Sequence, residues 1–363
     1  MANVAIVGAG MMGTATAWPL TDNGHAVRLV GTHLDHNIIK SCKEQRYHPR
    51  LKREIPPTVQ PYYVDEVAQA LNGVDIIVSG VNSEGVHWIG QTIGPHLRPG
   101  QLIIAVTKGL EATENGDLLI LPDVLVSELP ERLRDQVTVA AIGGPCIAGE
   151  LAARRQSCVV FGSREREAAE RLAGTFRTPY YHVWTTTDLL GLELCAALKN
   201  AYTLAVGIAA GLLEKTGGPD AADAHMHNLA AALFGQACTE IDFALQLAGG
   251  TRAFAYGLPG AGDFYVTCMG GRTVRLGRLL GLGHTFTEAR EIMAEQTLEA
   301  AMIIRVMGEA IPKLTTRGIL APEDLSLLRA LADFVVHDRP IDLPLDAFFS
   351  NATIPLWHQP ATT

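Results

Sequence analysis

Val4-Ala5-Ile6-Val7-Gly8-Ala9-Gly10-Met11-Met12-Gly13 holds the densest information in the chain. Four apolar residues read as a buried strand. The glycines behind them have the spacing Gly-x-Gly-x-x-Gly, and residues 12–23 then read as a helix. Strand, glycine turn and helix in that order make a dinucleotide-binding unit. Gly8 permits the tight turn, Gly10 lets the backbone approach a pyrophosphate, and Gly13 allows close helix–strand contact. Helix-opening amides would then face the anion.

Outward from this unit, residues 26–30, 75–79, 102–106 and 137–142 are further strand candidates, and residues 158–161 extend the series. They are rich in Val and Ile and mostly lack strict alternation, as expected of strands covered on both faces. Residues 64–71 read as a crossover helix. Pro56-Pro57 and Pro61 mark a loop rather than a sheet centre. From about Leu189 the texture changes, and residues 189–213, 221–249, 272–280, 287–307 and 322–335 read as helices rich in Ala and Leu. Thr287 is a candidate cap, and Pro322 with Glu323 and Asp324 a candidate helix opening. The expected fold class is α/β. A Rossmann-type parallel-sheet domain covers residues 1–187, an all-helical domain residues 188–345, and a C-terminal tail residues 346–363.

Composition agrees with two domains in 363 residues. At 48% hydrophobic and 18% charged, the chain is not wholly disordered. A net charge of −9 argues against a broad nucleic-acid surface while leaving room for a local basic pocket. Cys42, Cys146, Cys158, Cys195, Cys238 and Cys268 form no Cys-x-x-Cys pair, so reduced thiols in a cytoplasmic protein are expected. No targeting segment is expected, because the first residues lack a basic region before the strand. The longest apolar stretch, residues 201–213, is too short for a bilayer and reads as a buried helix.

Several residues are suited to chemistry. After the second strand come Gly31, Thr32, His33, Leu34 and Asp35. Neither an acid for the adenosine ribose nor an arginine for a 2′-phosphate fills the slot right at the strand end. Asp35 is late and could be only a helix cap. The absence of Arg or Lys there favours NAD and leaves NADP open. Lys199 stands between Leu198 and Ala201 in an apolar helical run, so it must snorkel or meet a partner, and Asn200 adjoins it. Lys108 lies just past a strand, on the side where open α/β sheets keep their ligands. In the glycine-rich stretch 257–277, Asp263 is placed to orient an ammonium, and Arg272 with Thr273 to meet phosphate oxygens at a helix start. A solvent-facing charged loop explains that stretch about equally well. His225 and His227 lack convincing metal-ligand partners.

Taken together, Gly8–Gly13, Lys108, Lys199-Asn200 and the 257–277 stretch resemble the NAD(P)-dependent glycerol-3-phosphate dehydrogenase family, in order, over about residues 2–340. His48-Pro49-Arg50-Leu51, Thr107-Lys108-Gly109, Gly144-Pro145 and Glu193 through Asn200 look like further family blocks. The resemblance implies reversible hydride transfer between NAD(P) and carbon 2 of sn-glycerol 3-phosphate or dihydroxyacetone phosphate. It implies Lys199 as the acid–base residue, Asp263 as its partner and Lys108 beside the substrate oxygen. It puts Asn200, Thr267, Arg272 and Thr273 at the phosphate end, and Gly8, Gly10, Met11, Met12, Gly13 and Arg272 at the cofactor. A small anionic substrate, a cytoplasmic homodimer, a place in phospholipid metabolism, and neither metal, nucleic acid nor membrane insertion follow from it.

The chain also departs from the family pattern. Thr273 stands where asparagine usually follows the arginine, Cys146 where a small polar residue or asparagine is usual, and Gly80 and Asn82 replace a proline-containing turn. These departures bear on the substrate. The alternatives are a dehydrogenase of another phosphorylated polyol or sugar, and a dinucleotide-binding sensor without turnover.

Overall fold

A computed structural model of the chain describes residues 1–294 and 296–349. Most of the expected tail, residues 350–363, lies outside the described residues. The chain divides into two compact units. The first gathers Met1–Glu111, Leu118–Lys199 and Ile241–Val266. The second gathers Ala112–Asp117, Asn200–Glu240 and the residues from Thr267 onward.

The first unit is built on an eight-stranded sheet. Its strands are β1 (Asn3–Val7), β2 (Ala26–Val30), β3 (Gln60–Tyr62), β4 (Ile76–Ser79), β5 (Leu102–Ala105), β6 (Thr138–Gly143), β7 (Ser157–Gly162) and β8 (Tyr181–Thr186). The order across the sheet is β8-β7-β6-β5-β4-β1-β2-β3. Every neighbouring pair is parallel except β6 with β7. The run β3-β2-β1-β4-β5-β6 reverses direction between β1 and β4, which is the doubly wound order and puts a crevice beyond the ends of those two strands.

Successive residues of each strand feed opposite faces. Val4, Ile6, Ile76, Val78 and Ile104 join one core cluster, while Ala5, Val7, Ile77 and Ile103 join another. Both faces are covered, which is why the apolar runs are continuous. Two strands of this sheet lie outside the sequence-derived set, and both are its edges. Tyr181–Thr186 alternates buried with exposed residues, and Gln60–Tyr62 carries Pro61, tolerated because an edge position need not donate on both sides. The helix expected over residues 12–23 is two short ones, Met11–Ala15 and Ala17–Asp22. Asp35 stands directly before the helix His36–Gln45 but makes no side-chain cap.

The second unit is helical. The helix Leu189–Lys215 passes from the first unit into the second, between Lys199 and Asn200. It is long and apolar enough to cross a membrane, yet 78% of its apolar window is buried inside the fold. Residues 287–307 are not one helix but parts of Phe286–Ile292 and Glu299–Thr316. Thr285, rather than Thr287, caps the first of these. Its hydroxyl accepts from the Glu288 amide, and Glu288 answers on the Thr285 amide. The last long helix, Ser326–Val336, starts later than Pro322. Its opening amides at Leu327 and Leu328 donate to buried Glu240, at 2.7 and 3.1 Å, so the cap comes from another helix.

Backbone contact between Asn200–Lys215 and the helix Arg272–Leu282 fixes how residues 272 and 273 are presented. A Cβ on Gly277 would stand 2.1 Å from the Leu204 carbonyl oxygen, and one on Gly211 2.0 Å from that of Arg278. Gly277→Ala should therefore cost about 1–3 kcal/mol or more through overpacking. Gly235 is exposed inside the helix His227–Leu247, and a Cβ added there would meet nothing within 4 Å. Gly235→Ala should gain about 0.5–1 kcal/mol from helix propensity. Thermal denaturation of both variants checks the packing, and equal shifts of the same sign would contradict it.

Candidate active site

The C-terminal ends of the parallel strands carry the loops that matter. At the end of β1, Gly8 has φ +110°, and a Cβ there would lie 2.6 Å from the Gly80 carbonyl group. A Cβ on Gly13 would lie 2.7 Å from the Gly8 oxygen. These glycines are demanded by the protein itself, and Gly80, one of the departures, is part of the same close approach. Gly10 is different. A Cβ there would meet only the Gly80 oxygen, at an ordinary 3.5 Å. Its bareness leaves room for something outside the chain. Met11 and Met12 open the following helix, where amides take no intrahelical partner. Gly8, Gly10, Met11, Met12 and Gly13 thus fit a dinucleotide pyrophosphate.

Lys108 leaves the end of β5 through Val106 and Thr107, whose hydroxyl donates to the Val81 carbonyl at 2.7 Å and so ties down the loop. Asp263 is the first residue of the helix Asp263–Cys268 and follows the tightly packed turn Leu258–Gly262. Lys199 projects from the long helix. The three meet: Lys108 Nζ is 2.5 Å from Asp263 Oδ2, and Lys199 Nζ is 2.9 Å from Asp263 Oδ1. All belong to the first unit.

Lys199 and Asp263 are each 3% exposed. Burial pushes the Asp263 carboxyl upward, but the Lys108 and then the Lys199 ammonium groups overcome this and hold it below the usual carboxylate range. Taking each ion out of water costs several kcal/mol, and pairing with good geometry is what offsets it. Two ammonium groups share one carboxylate, so the trio carries an excess positive charge suited to an anionic ligand or a developing alkoxide. Cys146, near the trio, stays a neutral thiol because burial pushes it up to about 12 against the pull of Lys108.

Asn200, Thr267, Arg272 and Thr273 belong to the second unit. Asn200 is buried at 7% exposure, while Thr267 and Thr273 are half-buried. Arg272 begins its helix behind Gly271, is exposed, and reaches Glu299 at 3.4 Å. Within the first unit, Lys108 and Lys199 thus both meet Asp263 directly. His225 and His227 stack on each other, and among the described residues no group of His, Cys, Asp or Glu is placed to hold a metal ion.

One residue of a family block, Glu193, carries no role in the sequence reading. Glu193 is fully buried in the long helix, and neither carboxyl oxygen has a hydrogen-bond partner. Burial pushes it up to about 8, with Lys108 pulling the other way and Asp123 adding to the rise. Only its place in an otherwise apolar run, Leu189-Leu190-Gly191-Leu192, hinted at this. The folded state holds the proton more tightly than the unfolded chain. Its stabilising effect is full below the ordinary carboxyl range and is lost as pH rises from about 4.5 to about 8. Glu193→Gln, a mimic of the neutral acid, should remove a slope of about 1.4 kcal/mol per pH unit across that window. Urea unfolding of both proteins at a series of pH values measures it, and parallel curves would contradict the assignment.

Comparison with known proteins gives the same direction. The sequence profile for the N-terminus of NAD-dependent glycerol-3-phosphate dehydrogenase matches residues 3–169, and that for its C-terminus matches residues 188–341. The chain is 36% identical to an NADP(+)-dependent glycerol-3-phosphate dehydrogenase of Archaeoglobus fulgidus, over 79% of this chain and 82% of that one. It is 30% identical to a glycerol-3-phosphate dehydrogenase [NAD(P)+] of Agathobacter rectalis, over 94% and 98%. A crystal structure of glycerol-3-phosphate dehydrogenase from Coxiella burnetii superposes with a TM-score of 0.78 at 26% identity, covering 97% of this chain and 99% of that one. With both terminal profiles matched and the two relatives covered over 82% and 98% of their lengths, the chain belongs to the NAD-dependent glycerol-3-phosphate dehydrogenase family.

Proposed function

We propose that this protein catalyses reversible hydride transfer between NAD(P) and carbon 2 of sn-glycerol 3-phosphate or dihydroxyacetone phosphate. The observation that carries the reading is the buried trio in which Asp263 holds both Lys108 and Lys199. When bound, the nicotinamide supplies or takes up the hydride. Lys199 is the acid–base residue: as hydride reaches carbon 2, its Nζ proton passes to the carbonyl oxygen, leaving an amine that regains a proton from solvent. In the other direction the amine accepts the hydroxyl proton. Asp263 orients the ammonium group and balances its charge. Lys108 lies beside the substrate oxygen and stabilises negative charge there. Asn200, Thr267, Arg272 and Thr273 receive the phosphate, with Arg272 also serving the cofactor. Gly8, Gly10, Met11, Met12 and Gly13 hold the pyrophosphate.

The same reading covers the setting of the protein. It divides the chain into a dinucleotide-binding domain, residues 1–187, and a catalytic helical domain, residues 188–345. It makes the enzyme a cytoplasmic homodimer in phospholipid metabolism, with neither nucleic acid nor membrane as partner. Six free thiols and a net charge of −9 support that setting. Oxidation of NADH or NADPH with dihydroxyacetone phosphate tests the activity. Turnover only with a longer phosphorylated ketose would move the substrate assignment, and nucleotide binding without turnover would reject the enzyme reading.

Two sets of variants test the roles. Lys199→Ala should lose about 10²–10⁴-fold in turnover and keep its affinity for reduced nucleotide, measured by fluorescence titration. Near-normal turnover would reject the assignment. Arg272→Lys keeps the charge but loses the planar fork that makes two parallel bonds to phosphate. It should impair phosphorylated substrates more than non-phosphorylated polyols in kcat/KM. Thr273→Asn should be tolerated or improve kcat/KM for the three-carbon phosphate. Equal losses on both substrate types in Arg272→Lys would remove the phosphate role.

A further inference from the structure

Three carboxyl groups lie deep in this protein, and their surroundings differ. Glu240 is 4% exposed and well supplied with donors. It accepts from the Leu327 and Leu328 amides at 2.7 and 3.1 Å, the Tyr202 hydroxyl at 2.8 Å and the Gln236 side-chain amide at 3.0 Å. Asp263, at 3%, has two ammonium groups. Glu193 is fully buried and both of its oxygens are bare. Among the described residues, the other buried side-chain oxygens without a partner are the hydroxyls of Thr14, Ser79 and Tyr181. A lone serine or threonine hydroxyl is neutral in any case. A lone carboxyl has to keep its proton, because an unpaired ion in a dry interior is very costly. The geometry by itself makes Glu193 a neutral acid in the resting protein.

The neighbours decide what that acid can do. Glu193 and Lys199 share the helix Leu189–Lys215, roughly 9 Å apart along its axis. Against the start of that helix, the ends of β6 and β7 present Gly143 and Gly162, which bring no charge. A Cβ on either would stand 2.6 Å from the Leu192 side chain. The charged groups that act on Glu193 from the elements around it are Lys108, on the loop after β5, and Asp123, on the helix Leu121–Ser127. Lys108 draws the proton off and Asp123 holds it on, while Arg164 binds Asp123 at 2.6 and 2.9 Å. Cys146, which also feels Lys108 and Asp263, and Tyr181 beside it stay neutral, because burial pushes both up. Burial first, then the two fields, bring the Glu193 carboxyl to about 8. The coupling runs both ways. If Lys108 helps to ionise Glu193, an ionised Glu193 weakens the pull of Lys108 on any other negative charge.

We propose that Glu193 is a positioning residue that acts through Lys108 and sets the charge of the trio by gaining or losing one proton. Protonated, it leaves Lys108, Lys199 and Asp263 their single excess positive charge. Ionised, it cancels that excess, and the site loses stabilisation of the negative charge that forms on the substrate oxygen. The Glu193 proton is exchanged with water and never reaches the substrate; the proton of the reaction remains that of Lys199. Turnover is full where Glu193 is neutral and fades as pH rises through its ionisation. The inference rests on the dehydrogenase reading given above.

Single-turnover oxidation of reduced nucleotide by dihydroxyacetone phosphate, followed from about pH 6.5 to about pH 9, tests it. The wild-type rate should fall about tenfold across the Glu193 ionisation, the size expected of one added unit charge near the site. Glu193→Gln and Glu193→Leu are uncharged at every pH. Both should match the wild type to within about threefold at the acid end and stay level across the same window. The leucine variant suits the apolar surroundings where the glutamine amide finds no partner, so the test does not hang on one protein. A purely structural role would lower the rate of both variants by one factor at every pH and keep the wild-type slope, which would overturn the proposal. So would a wild-type rate that stays level through the window, a result that needs no variant. Wild-type protein that binds nucleotide but turns over no phosphorylated ketone would reject the dehydrogenase reading and this proposal with it. Parallel profiles in an active enzyme reject the role of Glu193 alone.

Discussion

The Asp263 carboxylate, buried between two ammonium groups, is the constraint on which the site depends. Neither Lys108 nor Lys199 arrives there by local preference. One rides a strand-end loop tied to Val81, the other the middle of an apolar helix, and Asp263 starts a short helix behind a glycine-rich turn. Without the carboxylate, two ammonium charges would stand in one low-polarity space, Lys199 at 4% side-chain exposure and Lys108 at 21%. Breaking a buried pair typically costs about 3–5 kcal/mol, because it leaves a charge uncompensated. The same excess of positive charge that makes the cluster costly to assemble suits it to a neighbouring negative charge. Glu193, neutral at pH 7 because burial pushes it to about 8, leaves that excess intact.

The sheet supplies the second requirement, a fixed frame for the loops. Residues of β1, β4 and β5 are buried on both faces, so the strand ends cannot shift independently. The glycine turn, the Gly80 turn and the Lys108 loop leave the C-terminal ends of these three neighbouring parallel strands. Gly8, Gly13 and Gly80 touch backbone to backbone, which transmits the register of the sheet to the dinucleotide turn. Asp35 and His48 complete that frame from the β2 side: Asp35 Oδ2 accepts from the Ala9 amide at 3.1 Å, and His48 Nε2 lies 2.9 Å from the Ala9 carbonyl oxygen.

Much of this was legible in the residues. Continuous Val/Ile runs after a Gly-x-Gly-x-x-Gly unit announced a parallel sheet, and the Ala/Leu texture beyond Leu189 announced helices. Edge strands were less visible, since Pro61 and the alternating Tyr181–Thr186 carry no double-sided burial signal. Caps were misjudged where the partner was distant or one turn away: Thr285 and Glu288 replace Thr287, and Glu240 serves a helix 87 residues onward. Lys199 announced itself as a charge among apolar neighbours, and Lys108 as a charge past a strand. Their meeting at Asp263 spans 155 residues from Lys108 and could not come from local pattern. Asp35 looked like a late ribose acid or a helix cap because sequence cannot show which way a carboxylate turns.

If the trio works as one unit, its members cannot contribute independently. A double-mutant cycle on Lys199→Ala and Asp263→Asn, followed as kcat for reduction of dihydroxyacetone phosphate, measures this directly. Each single variant should lose about 10²–10⁴-fold, and the double variant should be no worse than the poorer single one, since the orienting group has nothing left to orient. Losses that multiply in the double variant, or near-normal turnover in Asp263→Asn, would contradict a shared role for the buried carboxylate.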